Sequence, residues 1–304
     1  MMNTEPQALL IPSGGRARLG VRFVAAALTF ALVSAALVLS SCAPAERGGT
    51  PLGDTPVTVI ASAAPDPVST SATTDPRAPG RPGYRLVFDD EFSGSNLNTA
   101  RWIASLPWGH TNHTEQQYYE ASALSQSGGV LTITASKRAT HGKPYTSGAI
   151  SSKNFRFAYG YAEIRAQVPA GDGLWSAFWL LARSRTGNEE ADIMELLGSD
   201  PNKGYAVLHY GTMTNKGKWL GTYRQPDFSN GFHTFALDWQ PGSMTWYVDG
   251  VKRYKVTRNV PSSAMVIIAN LTVGGPDSWS GAPDRYTPFP SQYKIDYIRV
   301  YQPR

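Results

Sequence analysis

The chain has 304 residues, of which 28 are Lys or Arg and 23 are Asp or Glu, so its formal net charge is +5. Its 8 Trp, 15 Tyr and 11 Phe can fill a core and exclude a chain that is disordered throughout. A single cysteine excludes a disulfide framework within the chain. The charge is not gathered in a basic run, so it does not indicate binding of nucleic acid.

Residues 1–41 have the features of a secretory signal peptide. Three arginines precede residues 23–39, an uncharged and largely apolar stretch. The sequence around Cys42 resembles a bacterial lipobox, in which the signal is removed before a cysteine that becomes lipid-modified. We therefore predict lipidation of Cys42 and anchoring on the outer face of the cytoplasmic membrane, in the cell envelope. An ordinary secreted protein and an uncleaved anchor helix are the alternatives.

Residues 42–82 differ in composition from the rest of the chain. Ala, Pro, Thr, Ser, Gly and Asp dominate, and there is no aromatic residue. Such a stretch buries too little apolar surface to offset its ordering entropy, so we predict a disordered tether. Aromatic residues continue from Tyr84 to Tyr301, which predicts one folded domain over residues 83–304.

Strand patterns recur along this domain, and no window shows a capped helical stripe. The dipeptide Asp249-Gly250 separates two strand-like runs and predicts a hairpin, because both turn positions need positive φ. We expect an all-β antiparallel sandwich. The predicted strands cover residues 84–88, 130–134, 173–181, 232–239, 244–248, 251–256, 265–273 and 293–301.

Trp175 and Trp179 have the same parity in the strand predicted over residues 173–181, so their side chains should point the same way. Two interpretations are open. Both rings could belong to the core, or one could lie in a sugar-binding cleft, where aromatic faces stack on the apolar faces of pyranose rings.

Three carboxylates follow in the next strand, at Glu190, Asp192 and Glu195. In a helix, Glu190 and Asp192 would lie on nearly opposite sides. In a strand they share a face, and a β-bulge at Ile193-Met194 would return Glu195 to that face. Cleavage of a glycosidic bond needs one ionised and one protonated carboxyl group, which such a strand could supply. A solvated acidic edge strand is the alternative.

These acids, with six other segments in the same order, resemble glycoside hydrolase family 16 in its bulged, laminarinase-like form. The resemblance covers nearly all of residues 84–304. It implies a concanavalin A-like β-jelly-roll sandwich with an open cleft, and a reaction that retains anomeric configuration. The six segments are residues 88–92, 115–119, 173–181, 232–250, 270–275 and 295–302.

The resemblance implies specific roles. Glu190 would be the nucleophile, Glu195 the general acid and then base, and Asp192 an electrostatic assistant to Glu190. Cleft positions that contact sugar would be Asn112, Arg165, Trp175, His209 and Trp219, although His209 could instead be a hydrogen-bonded structural residue. A structural calcium ion away from the cleft would use Glu91, the carbonyl of Gly129 and Asp296, although Asp296 could be a plain solvated residue.

The chain departs from the family pattern at Glu189, Ala191 and Ser176, and it lacks a tryptophan that often precedes the acids. We therefore leave the linkage open and predict a retaining endo-glycosidase acting on a β-linked polysaccharide, a β-1,3- or β-1,3-1,4-glucan. The alternatives are a galactan hydrolase, a transglycosylase, a non-catalytic lectin and a structural envelope protein that binds calcium. We expect a monomer that needs no cofactor for catalysis.

Overall fold

The computed structural model describes residues 82–112, 114–182, 187–225 and 227–304. The predicted signal peptide, Cys42 and all of the tether except Pro82 lie outside the described residues. In the described part of the chain no helix is long and apolar enough to cross a membrane. Helical structure there is limited to one 3-10 turn, Ala121–Ala123.

Two antiparallel sheets contain most of the strands, and we call them the back sheet and the front sheet. The back sheet contains β1 (Tyr84–Asp90), β4 (Leu124–Ser127), β5 (Val130–Ala135), β8 (Gly160–Gln167), β13 (His233–Gln240), β14 (Ser243–Val248), β15 (Val251–Val256) and β17 (Ser291–Pro303). The front sheet contains β2 (Trp102–Ile103), β7 (Ala149–Ser152), β9 (Leu174–Ala182), β10 (Glu190–Leu197), β11 (Lys203–Thr212), β12 (Asn215–Arg224) and β16 (Met265–Val273).

A short parallel pair, β3 (Gln117–Tyr119) and β6 (Tyr145–Ser147), completes the described strands. The order across the back sheet is β15-β14-β13-β8-β17-β5-β4, with β1 also paired to β17, and across the front sheet it is β12-β11-β10-β9-β16-β7-β2. Neighbouring strands in space are often distant in sequence, as expected of a jelly roll.

The prediction of an all-β sandwich is confirmed. Every strand predicted from the sequence is present, and the Asp249-Gly250 turn joins β14 to β15 with φ values of 50° and 75°. These positive values are those that a two-residue hairpin requires. The turn therefore sets Val248 opposite Val251, and the register of the pair shifts further along, between Trp246 and Tyr247.

The main hydrophobic core lies between the two sheets, because each sheet turns alternate side chains inward. Trp239 and Trp246 of the back sheet and Phe178 of the front sheet are fully buried within it. A second cluster lies on the other face of the front sheet, where Leu106 and Tyr119 cover Trp179. The outer face of the front sheet is thus partly roofed, which creates a cleft.

Candidate active site

The strand β10 contains the bulge that the spacing of its acids predicts. The register of β10 shifts between Asp192 and Met194 against β9, and between Asp192 and Glu195 against β11. Ile193 and Met194 are consecutive, yet both belong to the core between the sheets. Because two successive residues face inward, the alternation resets, and Glu195 returns to the face that carries Glu190 and Asp192.

The three carboxylates line one cavity of about 150 Å³ on the outer face of the front sheet. Trp175 and Trp179 line the same cavity, so the two rings do point the same way, and both do so toward the cleft. The cavity is lined by Leu106, Trp108, Asn112, Glu115, Tyr119, Trp175, Ala177, Trp179, Glu190, Asp192, Glu195, Asn270 and Thr272.

A tryptophan from the opposite sheet stabilises the bulge from beneath. The indole N–H of Trp246, which is fully buried, donates to the main-chain carbonyl of Asp192 at 2.9 Å. A bulge disrupts the ladder locally, and a buried carbonyl without a partner costs free energy. Trp246 supplies that partner and so couples the core to the position of the carboxylates.

Replacing Trp246 with Phe should therefore lower both stability and turnover. Loss of the buried hydrogen bond should cost about 1–3 kcal/mol of unfolding free energy, measured by urea denaturation. A loosened bulge should reduce kcat more than it changes KM. Trp239→Phe is the matched control, because it loses a similar buried bond, to the Pro261 carbonyl at 3.0 Å. An equal fall in kcat for both variants would contradict the link to the bulge.

Glu190 is the most exposed of the three acids, with 32% of its side chain accessible. Burial raises the pKa of Glu190, while the positive fields of His209 and Lys216 oppose the rise. Glu195 is only 7% exposed, and burial together with the charges of Asp192 and Glu190 raises its pKa well above the usual range. Glu195 therefore keeps its proton more readily than Glu190 does, and acid–base catalysis requires such a difference between the two carboxyl groups.

Asp192 lies between the glutamates and is 4% exposed. Burial and, secondarily, the charge of Glu190 raise the pKa of Asp192 well above its usual range. His209, directly opposite Glu190 on β11, places Nε2 3.4 Å from Asp192 Oδ2 and 3.6 Å from Glu190 Oε1. Burial lowers the pKa of His209, while the negative charge of Glu190 opposes that fall. The donor atoms of these three residues lie within 4.8 Å of one another, so they could also chelate a divalent cation.

Asp192→Asn should stabilise the fold at neutral pH while slowing any reaction at the site. A carboxyl group whose folded pKa is raised contributes most stability below its unfolded pKa, and this contribution falls as pH rises toward the folded pKa. The amide removes that cost, so unfolding free energy at pH 7 should rise by about 1–2 kcal/mol. Thermal unfolding at pH 3 and pH 7 checks the sign, since the gain should vanish at pH 3.

A buried polar network forms the cavity wall that faces away from β11. Glu115 is 7% exposed, and its carboxylate accepts hydrogen bonds from Asn112 at 3.1 Å, Gln117 at 2.5 Å and Tyr119 at 3.2 Å. The network continues from Tyr119 through Asn270, whose Oδ1 accepts from the Trp179 indole at 2.8 Å. Burial raises the pKa of Glu115. Hydroxyl-rich ligands could exchange hydrogen bonds with Asn112 and Asn270, which line the cavity.

The comparisons with known proteins agree with this geometry. The model of Glycosyl hydrolases family 16 matches residues 110–299, more than half of the chain. The chain belongs to glycosyl hydrolase family 16. Within the family, a Beta-glucanase of Rhodothermus marinus is 31% identical over an alignment of 262 residues that covers 74% of this chain and 88% of that protein. A Glucan endo-1,3-beta-glucosidase A1 of Niallia circulans is 28% identical over 272 residues, but the match covers only 39% of its length.

Solved structures from the family share the fold. The endo-β-1,3-glucanase of Pyrococcus furiosus superposes with a TM-score of 0.65 at 31% identity, covering 73% of this chain and 95% of that one. The laminarinase of R. marinus gives a TM-score of 0.66 at 29% identity, covering 73% and 98%. The predicted family and its jelly-roll fold are therefore confirmed.

The structure brings together six of the eight predicted catalytic and sugar-contacting residues. Asn112 and Trp175 line the cavity with the three acids, and His209 contacts two of them. Sequence reasoning did not assign Glu115, Trp108, Asn270 or Thr272 to the site. Glu115 and Asn270 lie in segments that resemble the family, and that resemblance could have indicated them. Nothing in the sequence singled out Trp108.

The prediction for Trp219 does not match its position. Trp219 pairs with Leu208, and directly opposed residues share a face of a sheet. Leu208 is buried in the core, so Trp219 packs inward, where its ring stacks on Tyr210 at 5.9 Å. Its neighbours Lys218 and Leu220 take the cleft face instead. The error arises because the sequence alone did not establish which residues of β12 face the cleft.

Arg165 is also displaced from the predicted cleft. It lies on β8 of the back sheet, between the core residues Ile164 and Ala166, so its side chain faces away from the front sheet. There it donates to Asp296 at 2.6 Å and lies over the ring of Phe232. The salt bridge joins two neighbouring strands of the back sheet, which gives Arg165 a structural partner far from the acids.

Of the three predicted calcium positions, Glu91 and Gly129 are close together, and Asp296 lies where β17 changes partner. β17 pairs with β5 up to Ile295 and with β1 from Ile298, so Asp296 lies at the fork between the two strands. A Cβ added to Gly129 would lie 3.8 Å from the Glu91 carbonyl oxygen. However, the Glu91 carboxylate binds the Arg299 guanidinium at 2.7 and 2.8 Å, and the Asp296 carboxylate binds Arg165 at 2.6 Å. Main-chain oxygens at the three positions are therefore the ligands left for a cation.

Proposed function

We propose that this chain is a retaining endo-glycosidase that hydrolyses a β-1,3- or β-1,3-1,4-glucan. The observation that carries the proposal is the bulge in β10, which turns Glu190, Asp192 and Glu195 into one cavity. The relatives named as glucanases in the same family support the substrate class. The chain spans less than half of the Niallia relative, so the activity of that whole protein does not carry over to this chain. The activity and substrate proposed for this chain therefore rest on its own site.

In the proposed mechanism, Glu190 attacks the anomeric carbon while Glu195 donates its proton to the leaving oxygen. The more exposed Glu190, flanked by His209 and Lys216, ionises more readily. The raised pKa of Glu195 keeps it protonated for the first step. In the second step Glu195 accepts a proton from water, and hydroxide displaces Glu190 from the sugar with a second inversion.

Two pairs of aromatic rings, both beside β10, support binding of an internal stretch of a long glycan. Beside Asp192, Trp108 packs on Trp179 with ring centroids 6.0 Å apart and remains 52% exposed. Beside Leu197, Trp175 meets the edge of Trp279 at 5.3 Å, and Trp279 is 48% exposed. Exposed rings at two separate positions beside the acids would each stack a sugar unit of a long glycan.

The test is a reducing-sugar screen of purified residues 83–304 against a polysaccharide panel, with proton NMR of the first product. We expect hydrolysis of laminarin or of mixed-linkage barley glucan, release of oligosaccharides rather than glucose, and initial β-anomers. Activity confined to galactans would replace the substrate class. Longer products with no rise in reducing ends would favour transglycosylation, and binding without turnover would favour a lectin.

We also propose a structural calcium ion at the fork of β17, held through the main-chain carbonyls of Glu91, Gly129 and Asp296. Calcium prefers oxygen ligands, and carbonyl oxygens are among them. Because a ligand of the folded state stabilises it, the thermal midpoint should rise with added Ca²⁺ and fall with EDTA. Identical midpoints in the two conditions would contradict the proposal.

We further propose that the mature protein is anchored in the cell envelope through a lipid on Cys42. The signal-like residues 1–41 and the aromatic-free residues 42–82 support this location. Mass spectrometry of the mature N-terminus should detect an acylated Cys42. An unmodified N-terminus at another residue would contradict the anchor and favour ordinary secretion.

A further inference from the structure

The hairpin that ends the front sheet is basic on its cleft face. Strands β11 and β12 run from Lys203 to Arg224 with four Lys or Arg residues and no Asp or Glu. Lys216 and Lys218 alternate on β12 with Gly217 and Trp219, which face the core side. Both lysines are exposed and therefore stand on the outer, cleft face of the sheet edge.

The register places these lysines beside the acids. Lys218 is opposite His209, which is opposite Glu190, so Lys218 lies two strands from the proposed nucleophile. Adjacent strands are about 4.8 Å apart, so the two main chains are separated by about 10 Å. A lysine side chain spans most of that distance. The positive charges reach the site, since Lys216 lowers the pKa of Glu190 and Lys218 that of Glu195.

The two lysines differ from the other basic residues of the hairpin. Arg224 forms an ion pair with Asp200 at 2.8 Å, and Lys203 lies over the ring of Tyr205 at 4.9 Å. Lys216 and Lys218 form no ion pair with any residue that the structure describes. Their ammonium groups are thus free to bind an anion that enters the cleft beside Glu190.

The opposite end of the cleft has a different character. None of the described residues that line the cavity on the β9 and β16 side is basic, and Asn112, Asn270 and Trp179 are suited to neutral sugars. A glycan that crossed the front sheet from β16 to β12 would therefore meet a wall without basic residues, then the three catalytic acids, then two cations.

We propose that the β12 side of the cleft binds an acidic group on the glycan, a carboxylate or a sulfate, through Lys216 and Lys218. The inference rests on the proposed hydrolysis of a β-glucan and adds that this glucan carries negative charge. An acidic substituent in this place would replace water around two ammonium groups with a direct charge–charge contact. The natural substrate would then be an anionic β-glucan.

The test compares neutral laminarin with carboxymethylated and with sulfated laminarin of the same chain length and low substitution. For the wild-type protein, kcat/KM at low salt should be higher on one or both anionic glucans, and the advantage should shrink with added NaCl. Lys216→Gln/Lys218→Gln should lower the anionic-to-neutral ratio of kcat/KM about fivefold, the size expected of two exposed charge pairs. The two anionic glucans separate carboxylate from sulfate recognition.

Lys252→Gln/Lys255→Gln is the matched control, since it removes two exposed charges from β15 of the back sheet. Using a ratio cancels any change in catalysis that follows from altered fields at Glu190 and Glu195. An unchanged anionic-to-neutral ratio of kcat/KM in the β12 variant, or an equal change in the β15 variant, would overturn the proposal. Turnover of neutral laminarin by the same proteins would still support the proposed function. If no glucan is cleaved, affinity electrophoresis of the same variants in gels with each laminarin decides the binding claim separately.

Discussion

Glu190→Gln should reduce glucan hydrolysis by about three orders of magnitude or more, because the amide cannot form the covalent glycosyl intermediate. The cavity should keep its shape, since Gln matches Glu in size and Glu190 is at the edge of the buried group with 32% of its side chain exposed. Binding of laminari-oligosaccharides, measured by calorimetry, should therefore change little. Undiminished turnover would remove Glu190 from the mechanism.

Glu189→Gln is the control for that variant. It removes a charge one residue away, and Glu189 precedes β10, where alternation points its side chain away from that of Glu190. A second variant, Glu190→Ala, distinguishes a nucleophile from an acid. Azide should restore turnover of an aryl β-glycoside and give the α-glycosyl azide, because a single displacement inverts the anomeric carbon. A β-azide product would assign Glu190 the acid–base role instead.

The catalytic strand illustrates what local sequence can predict. Period-two alternation and the spacing of three acids were sufficient to infer both a strand and a bulge at Ile193-Met194, because a side chain in a strand has only two faces. The structure has that bulge. The partner that stabilises it, Trp246, comes from the other sheet and 54 residues later. No local pattern indicates such a contact, since it depends on how the two sheets are superposed.

The errors have the same origin. Trp219 and Arg165 were assigned to the cleft by resemblance, but the side of the sheet on which each residue lies depends on the parity of its strand. Trp219 pairs with the buried Leu208, and Arg165 sits among core-facing neighbours of the back sheet. A one-residue change in alignment reverses the face of a side chain. Residue type alone therefore could not separate a cleft tryptophan from a core one.

Only part of the cavity wall could be predicted from the sequence. Asn112 was predicted to contact sugar, and it is joined to Glu115, which was not predicted. A buried glutamate is expected only where partners satisfy it. One of those partners is Tyr119, whose hydroxyl accepts a hydrogen bond from Asn270, more than 150 residues later in the sequence. Long-range hydrogen bonds between β3, β16 and the loop that contains Asn112 create the wall, so its composition follows from topology.

Glu195→Gln should reduce hydrolysis of laminarin to a residual rate, and this residual activity should lack the alkaline limb of the wild-type pH profile. Departure of a sugar oxygen needs protonation by a neighbouring acid, and an amide cannot donate a proton at useful rates. The pKa of Glu195 is raised well above its usual range by burial and by the charges of Asp192 and Glu190. Activity of the wild-type enzyme should therefore persist above the usual glutamate pKa and fall as Glu195 deprotonates.

An activated substrate isolates that role. A 2,4-dinitrophenyl β-glycoside needs no protonation of its leaving group, so Glu195→Gln should still form the glycosyl-enzyme and release a burst of dinitrophenol. The intermediate should then accumulate, because hydrolysis needs Glu195 as base, and added azide should release it as the β-glycosyl azide. Glu115→Gln, which alters a buried glutamate of the same cavity, should keep the alkaline limb. If Glu115→Gln instead removed that limb while Glu195→Gln retained it, the general acid would be Glu115.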